Sequence, residues 1–477
     1  MGESSSAVNA PADVASATAS VASAPAGVVP LPLPRESVVH RAVGGIAATW
    51  RDFIRRDDLG AIDPDLPPRE EPRVRSAMAA SLSGRGGEAG TRSSIAGLGS
   101  AYLALNASGK ARFLGLLADF DVDREGLERA MDAARDADDA AFGAALAGLR
   151  NATRPPWLTI LQRLNALPEG TKFLVDVRAD LLGLAQPSLA VRRMERDLGE
   201  LLASWFDLGF LELRRITWDA SAALLERIAR YEAVHEVRSW LDLKDRLDTD
   251  RRCYAYLHPA MPNEPLIFVE VALVREMSDR IAPLLDPNAP RGEPREATTA
   301  LFYSISNCQR GLAGVSLGNA LIKRVVEHLA GEFPQLKTFA TLSPIPGFRA
   351  WLAAHGADNA QLEGARAAAA ARRWHRDPVL AEAARKPLLR ACARYLLEEK
   401  APDGGALDAV ARFHLSNGAR MERLDWLADT SQRALHESAG MMINYVYRRG
   451  EIDANHEAYA GAGRIAASKA LRDLARS

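Results

Sequence analysis

Ala300-Leu301-Phe302-Tyr303-Ser304-Ile305-Ser306, then Gly311-Leu312-Ala313-Gly314-Val315-Ser316-Leu317-Gly318, is the stretch that decides the fold. The first run is rich in aromatic and β-branched residues and reads as a strand. After the glycines, Leu317, Leu321, Val325 and Leu329 recur every four residues, and Ile322 and Val326 widen the stripe, so a helix follows. Thr338–Leu342 reads as the next strand. Glycine lets a backbone approach a ligand closely, and the first-turn N–H groups of a helix carry the positive end of its dipole. Strand, glycine loop and helix together therefore make an anion site suited to a pyrophosphate. Neither GxxxxGKS/T nor GxGxxG is present. Gly314-Val315-Ser316-Leu317-Gly318 does fit GxSxG, the serine elbow of hydrolases. An elbow needs a strand running straight into its first glycine, whereas residues 307–313 intervene here. Glycines that merely permit close packing at a helix start are a third reading.

Working outward, Leu266–Val274 is a second apolar strand and Arg252–Leu257 a third. The His258–Pro265 turn joins them as an antiparallel hairpin. Ile443–Tyr447 is a short strand candidate in the C-terminal remainder. Residues 36–210 are alanine-rich with helical spacing, as in Ala111–Leu117 and Leu127–Ala144. Breaks fall at 64–72, Gly84–Gly87, Pro155-Pro156 and Pro168–Gly170. Short links between amphipathic helices predict a bundle, and its polar residues read as solvated faces without chemistry. The expected organisation is α+β: residues 1–35 a disordered tail, 36–210 a helical domain, 211–477 a mixed α/β domain.

The chain has 477 residues, with 60 Lys+Arg against 61 Asp+Glu. That balance leaves no basic excess to displace counterions from nucleic acid. No apolar run approaches the roughly 20 residues of a membrane span. Cys253, Cys308 and Cys392 lie far apart and form no CxxC pair, which removes a zinc ribbon, a redox pair and a disulfide framework. His235-Glu236 begins like HExxH, but Ser239 stands where the second histidine belongs. No metal motif follows, and a reducing, cytoplasmic setting is expected. The Ala/Ser/Pro tail has no Lys or Arg before Arg35, which argues against a secretory or mitochondrial leader.

The strand–loop–helix–strand unit resembles the coenzyme A-binding core of the GCN5-related acetyltransferase fold. Of that family's loop pattern, Gln/Arg-x-x-Gly-x-Gly/Ala, residues 313–318 keep only Gly318. A longer resemblance, over about 170–450, is to malonyl-CoA decarboxylases. It is carried by Lys172–Leu182 (KFLVDVRADLL), Ala297–Ser306 (ATTALFYSIS), Leu321–Val326 (LIKRVV), Leu342–Phe348 (LSPIPGF), Phe413–Ala419 (FHLSNGA) and Asn444–Tyr447 (NYVY). The resemblance implies a helical oligomerisation domain, an acetyltransferase-like catalytic domain and a homo-oligomer, a dimer or tetramer. It places the family's serine at Ser343, its histidine at His414 and a tyrosine near the active site at Tyr447. Its substrate loop falls on Ala313, Gly314, Val315, Ser316, Leu317, Gly318 and Asn319. Relatives often carry Gln and Glu where this chain has Ala313 and Ser316, so only backbone contacts transfer there.

Decarboxylation of a malonyl thioester needs no metal or organic cofactor, because the thioester carbonyl accepts the electrons as CO2 leaves. The protein must stabilise the enolate oxygen and deliver a proton to carbon. Histidine titrates near neutral pH, which makes His414 the expected proton donor, with Ser343 its hydrogen-bonding partner rather than an acylated nucleophile. By type alone, a serine beside prolines is a turn residue, a lone histidine structural and a strand tyrosine core. Arg310, Lys323 and Arg324 suit either coenzyme A phosphates or a solvated surface. The alternatives left by the residues are an acyl-CoA N-acyltransferase, a serine thioesterase using Ser316, and a non-catalytic acyl-CoA sensor. The first would yield an acyl-amine without CO2, the second free coenzyme A, and the third no product.

Overall fold

Amphipathic spacing before residue 210 produces a succession of helices, ending with Pro156–Asn165, Gly170–Leu182 and Leu189–Trp205. This computed structural model describes residues 46–476 except 47, 55–58, 84–86, 316, 357, 358 and 372, and omits the side chains of Asn319, Ala320, Ala360 and Gln361. The expected tail, residues 1–35, lies outside the described residues. Local chemistry sets the helix ends: Asn106, Asp123 and Ser188 each accept a first-turn N–H. The single helical run expected over Leu127–Ala144 is instead two helices, Arg124–Asp136 and Phe142–Ala152. Asp138 is the reason, since its carboxylate takes the Ala141 N–H at 2.8 Å and closes a turn. Trp50, Tyr102, Phe113 and Phe173 meet edge to face at the centre of the bundle.

Eight strands follow: β1 (Glu212–Ile216), β2 (Arg251–Leu257), β3 (Ile267–Val274), β4 (Thr299–Asn307), β5 (Thr338–Thr341), β6 (Ser343–Pro344), β7 (Arg420–Asp425) and β8 (Met442–Val446). They form one sheet, with β1 to β4 antiparallel in sequence order and β5 parallel to β4. The expected hairpin is β2–β3. The sequence reading did not anticipate β1 and β7. Both are short and charged, and each occupies an edge where alternate side chains face water.

The register along β8 positions Ser343. Ala340 pairs Val446, Ser343 pairs Ile443 and Pro344 pairs Met442, so β5 and β6 are one interrupted line along β8. The parallel ladder from β4 stops at Phe302 and Thr341, closed by a Leu342 N–H to Phe302 carbonyl bond of 2.9 Å. Beyond that point β4 stays with β3 to Asn307, while β6 stays with β8. The sheet splits there, and Ser343 is the first residue past the split. It opens a second short strand, just past the strand expected over Thr338–Leu342.

A single apolar cluster joins Trp50, Phe173 and Val175 of the helical half to Leu312, Leu321, Ile345 and Tyr447 around the sheet. The helix Gly318–Glu332 lays Leu321, Ile322, Val325, Val326 and Leu329 into it, as the four-residue spacing requires.

Candidate active site

His414 sits near the end of the helix Ala409–Ser416. Asp408 caps that helix, accepting the Val410 and Ala411 N–H groups at 3.0 and 2.9 Å. Its second oxygen accepts from the Tyr395 hydroxyl at 3.3 Å and the Gly347 N–H at 3.4 Å, which ties the histidine helix to the LSPIPGF segment. Gly347 has to be glycine, because a Cβ there would overlap the Tyr395 hydroxyl. At the other end the Ala419 N–H bonds the His414 carbonyl at 3.0 Å across a left-handed Gly418 (φ +77°). A Cβ on Gly418 would also overlap the Ile452 carbonyl. The FHLSNGA pattern is therefore a helix end that fixes the imidazole.

The three residues placed by resemblance come together. His414 Nε2 lies 3.0 Å from Ser343 Oγ and its Nδ1 lies 2.8 Å from the Tyr447 hydroxyl. Ser343 Oγ is also 2.8 Å from Thr341 Oγ1, which accepts the Tyr445 N–H at 3.2 Å. Tyr445 stacks on the imidazole with ring centres 4.3 Å apart. Ser343, His414 and Tyr447 are all buried.

Burial overturns one part of the sequence reading. Far from titrating near neutrality, His414 is pushed down to about 3 by desolvation alone. The imidazole is neutral at physiological pH. Tyr447 is raised well above its ordinary value for the same reason, so it keeps its phenolic proton. Both ring nitrogens are hydrogen-bonded, and the tautomer in which Tyr447 donates to Nδ1 places the ring proton on Nε2, facing Ser343 Oγ.

The glycine loop lies between β4 and the helix Gly318–Glu332 and contains a short 3-10 turn, Arg310–Leu312. Ala313 and Gly314 are exposed, Val315 is half-buried, and Leu317 and Gly318 are buried. Gly314 adopts φ +84° with open space where a side chain would be. Gly318 packs under Phe413, whose ring a Cβ would strike, so the loop helix rests directly on the histidine helix. The Asn319 backbone is in the first helical turn. Ser316 lies outside the described residues. β4 stops at Asn307 and the 3-10 turn intervenes, so no strand runs straight into Gly314 as a nucleophile elbow needs. Lys323 is paired with Asp453 at 2.9 Å, while Arg310 and Arg324 are exposed. Among the described residues, no group of three His, Cys, Asp or Glu side chains is placed to hold a metal.

The expectation that the polar residues of the helical half are only solvated faces does not hold. Arg178, in Gly170–Leu182, is buried and donates to the Gly311 and Ala313 carbonyls. The signal was the one arginine in Phe173–Leu182, a block whose other charged residues are Asp176 and Asp180.

Ser343, His414 and Tyr447 thus form one buried hydrogen-bonded line at a split in the sheet of an α/β domain, with the glycine-loop helix packed on the histidine helix. Two family models match this chain: the malonyl-CoA decarboxylase N-terminal domain over residues 120–206 and the C-terminal domain over 209–477. The goose (Anser anser anser) protein "Malonyl-CoA decarboxylase, mitochondrial" is 40% identical over 66% of this chain and 68% of its own. The Mus musculus protein of the same name is 39% identical over 68% and 72%. A solved malonyl-CoA decarboxylase from Rhodopseudomonas palustris superposes with TM-score 0.79 at 42% identity, covering 84% of this chain and 99% of that one. One from Agrobacterium vitis gives 0.78 at 40% identity, with coverages of 84% and 99%. The chain belongs to the malonyl-CoA decarboxylase family.

Proposed function

We propose that this chain is a carboxy-lyase that converts malonyl-CoA to acetyl-CoA and CO2. The observation that carries the reading is the buried hydrogen-bonded line Tyr447–His414–Ser343, ending where β6 parts from β4. The malonyl group enters that split. The C2–carboxylate bond breaks, its electron pair moves to the thioester carbonyl, and CO2 departs. The Ser343 hydroxyl, relieved of Thr341, hydrogen-bonds the enolate oxygen. A thioester enolate is basic enough at carbon to take a proton from a neutral imidazole. His414 delivers its Nε2 proton to C2 as Nδ1 takes the Tyr447 proton. Once the products have left, a solvent proton taken up at Nε2 sends the Nδ1 proton back to Tyr447, so each turnover consumes one proton and both groups end neutral. The apolar surroundings that keep His414 neutral also favour departure of the charged carboxylate as neutral CO2.

The loop Ala313–Asn319 holds the coenzyme A pyrophosphate through backbone N–H groups at the start of the Gly318–Glu332 helix. The remaining assignments are a helical oligomerisation domain over 36–210, a catalytic domain over 211–477, a homo-oligomer and a cytoplasmic location. No helix among the described residues is long and apolar enough to cross a membrane. The two animal relatives carry "mitochondrial" in their names, so fractionation of the native host is the test of location.

The deciding experiment is incubation of the purified chain with malonyl-CoA, following CO2 and acetyl-CoA together. Equal yields support the proposal. Free coenzyme A without CO2, abolished by Ser316→Ala, would establish a thioesterase. An acyl-amine formed without CO2 would establish an acyltransferase.

A further inference from the structure

We infer that Arg178, a residue of the helical half, is a positioning residue for the phosphate-binding face of the glycine loop. The inference rests on the decarboxylase reading and adds a determinant of coenzyme A affinity that touches no substrate.

The guanidinium works as a two-sided bracket. Its Nη1 donates to the Gly311 carbonyl at 2.8 Å and to the Ala313 carbonyl at 2.9 Å. Its other edge, Nε and Nη2, meets Glu195 Oε1 of the Leu189–Trp205 helix at 3.0 Å each. Gly199 leaves just enough room, since a Cβ there would stand 3.0 Å from Nη2. On the loop side, Gly311 lies so close to the Val175 carbonyl that no side chain fits. The start of the loop is held separately, by Gln309 donating to the Pro265 carbonyl at 3.0 Å.

The consequence for a ligand follows from the planar trans peptide, in which C=O and N–H point in opposite directions. With the Ala313 carbonyl turned onto Arg178, the Gly314 N–H points away from the helical half. Gly314 is the exposed residue with positive φ, so its amide is presented outward beside the first helical turn. Glu195 neutralises the guanidinium locally, so its role is to orient the loop rather than to attract the anion. Lysine keeps the charge but cannot reproduce the planar fork.

The test uses full-length Arg178→Lys and Glu195→Gln with two thioesters, malonyl-CoA and malonyl-pantetheine, the second lacking the pyrophosphate. For Arg178→Lys the coenzyme A Kd by calorimetry should rise about tenfold, the scale of one lost charge-assisted bond. Saturated turnover of malonyl-CoA should stay within about twofold, and kcat/KM for malonyl-pantetheine within about twofold, because neither depends on uniform phosphate binding. Glu195→Gln leaves the arginine in place but loosened, and should shift Kd in the same direction by less. If Arg178→Lys does not fold, Glu195→Gln carries the same comparison alone. An unchanged Kd overturns the inference, as does an equal loss on both thioesters. Wild-type protein that binds coenzyme A but releases no CO2 would instead sink the decarboxylase reading, and the Kd comparison would still judge Arg178.

Discussion

His414 is a base held in its neutral form by its surroundings, and that has a measurable sign. Its folded value, about 3, lies below the ordinary 6.5, so the unfolded chain binds a proton that the folded chain refuses. Its contribution to stability is complete above pH 6.5 and is lost as the pH falls from there towards 3. Urea unfolding at a series of pH values should therefore show a gap between wild type and His414→Asn that changes below pH 6.5 and is constant above it. Turnover should lack a histidine limb between about pH 5 and 8; a limb near 6.5 would mean that imidazolium is the donor. His414→Asn should lower kcat by about 10²–10⁴-fold with coenzyme A Kd nearly unchanged. Tyr447→Phe removes only the hydroxyl proposed to supply Nδ1 and should lower kcat by about 10²-fold, the lower end of general acid–base effects. A Tyr447→Phe loss as deep as that of His414→Asn would place the phenol in direct contact with substrate.

At the scale of elements, two glycines join three helices, and they should respond differently to alanine. Gly318→Ala drives a methyl into the Phe413 ring, a side chain that can shift, and should destabilise by about 1–3 kcal/mol. Gly311→Ala drives it into the Val175 carbonyl, which is backbone and cannot rotate away, so the loss should exceed that of Gly318→Ala. Thermal melts of the two variants side by side check the order. The strand, loop and helix around these glycines were legible because periodicity reports one element at a time. Ser343, His414 and Tyr447 were legible only through ordered blocks resembling a family, since nothing in a lone serine, histidine or tyrosine reveals a shared hydrogen-bond line. β1 and β7 escaped because edge strands alternate weakly and carry charge. The neutrality of His414 escaped because burial is a property of the packed chain. Arg178 escaped because an arginine on a helix is ordinarily solvated.

Across the whole molecule, the helical half and the sheet share one apolar cluster and the Arg178 bracket. Separate cores would melt separately. A shared core predicts a single cooperative transition by calorimetry, with near-equal calorimetric and van't Hoff enthalpies for the cooperative unit. Two resolved transitions would show that the halves are energetically independent. The near-zero net charge adds that no global field draws the anionic substrate in, so association should depend only weakly on salt.

The phenol behind His414 carries a further consequence, for chemical fidelity. A serine hydrogen-bonded to a histidine is also half of a hydrolytic apparatus, and on the proposed mechanism the substrate brings it an activated acyl group. In hydrolases a buried carboxylate stabilises the imidazolium that forms when the serine attacks. Here that position is occupied by the Tyr447 hydroxyl, which carries no charge, in surroundings that already disfavour imidazolium. Acylation of Ser343 would require an imidazolium that this pocket resists, whereas protonating an enolate only moves an existing negative charge and creates no new ion pair. On the proposed mechanism, a phenol in the place of a carboxylate disfavours acylation of Ser343 and so protects the acetyl thioester from hydrolysis.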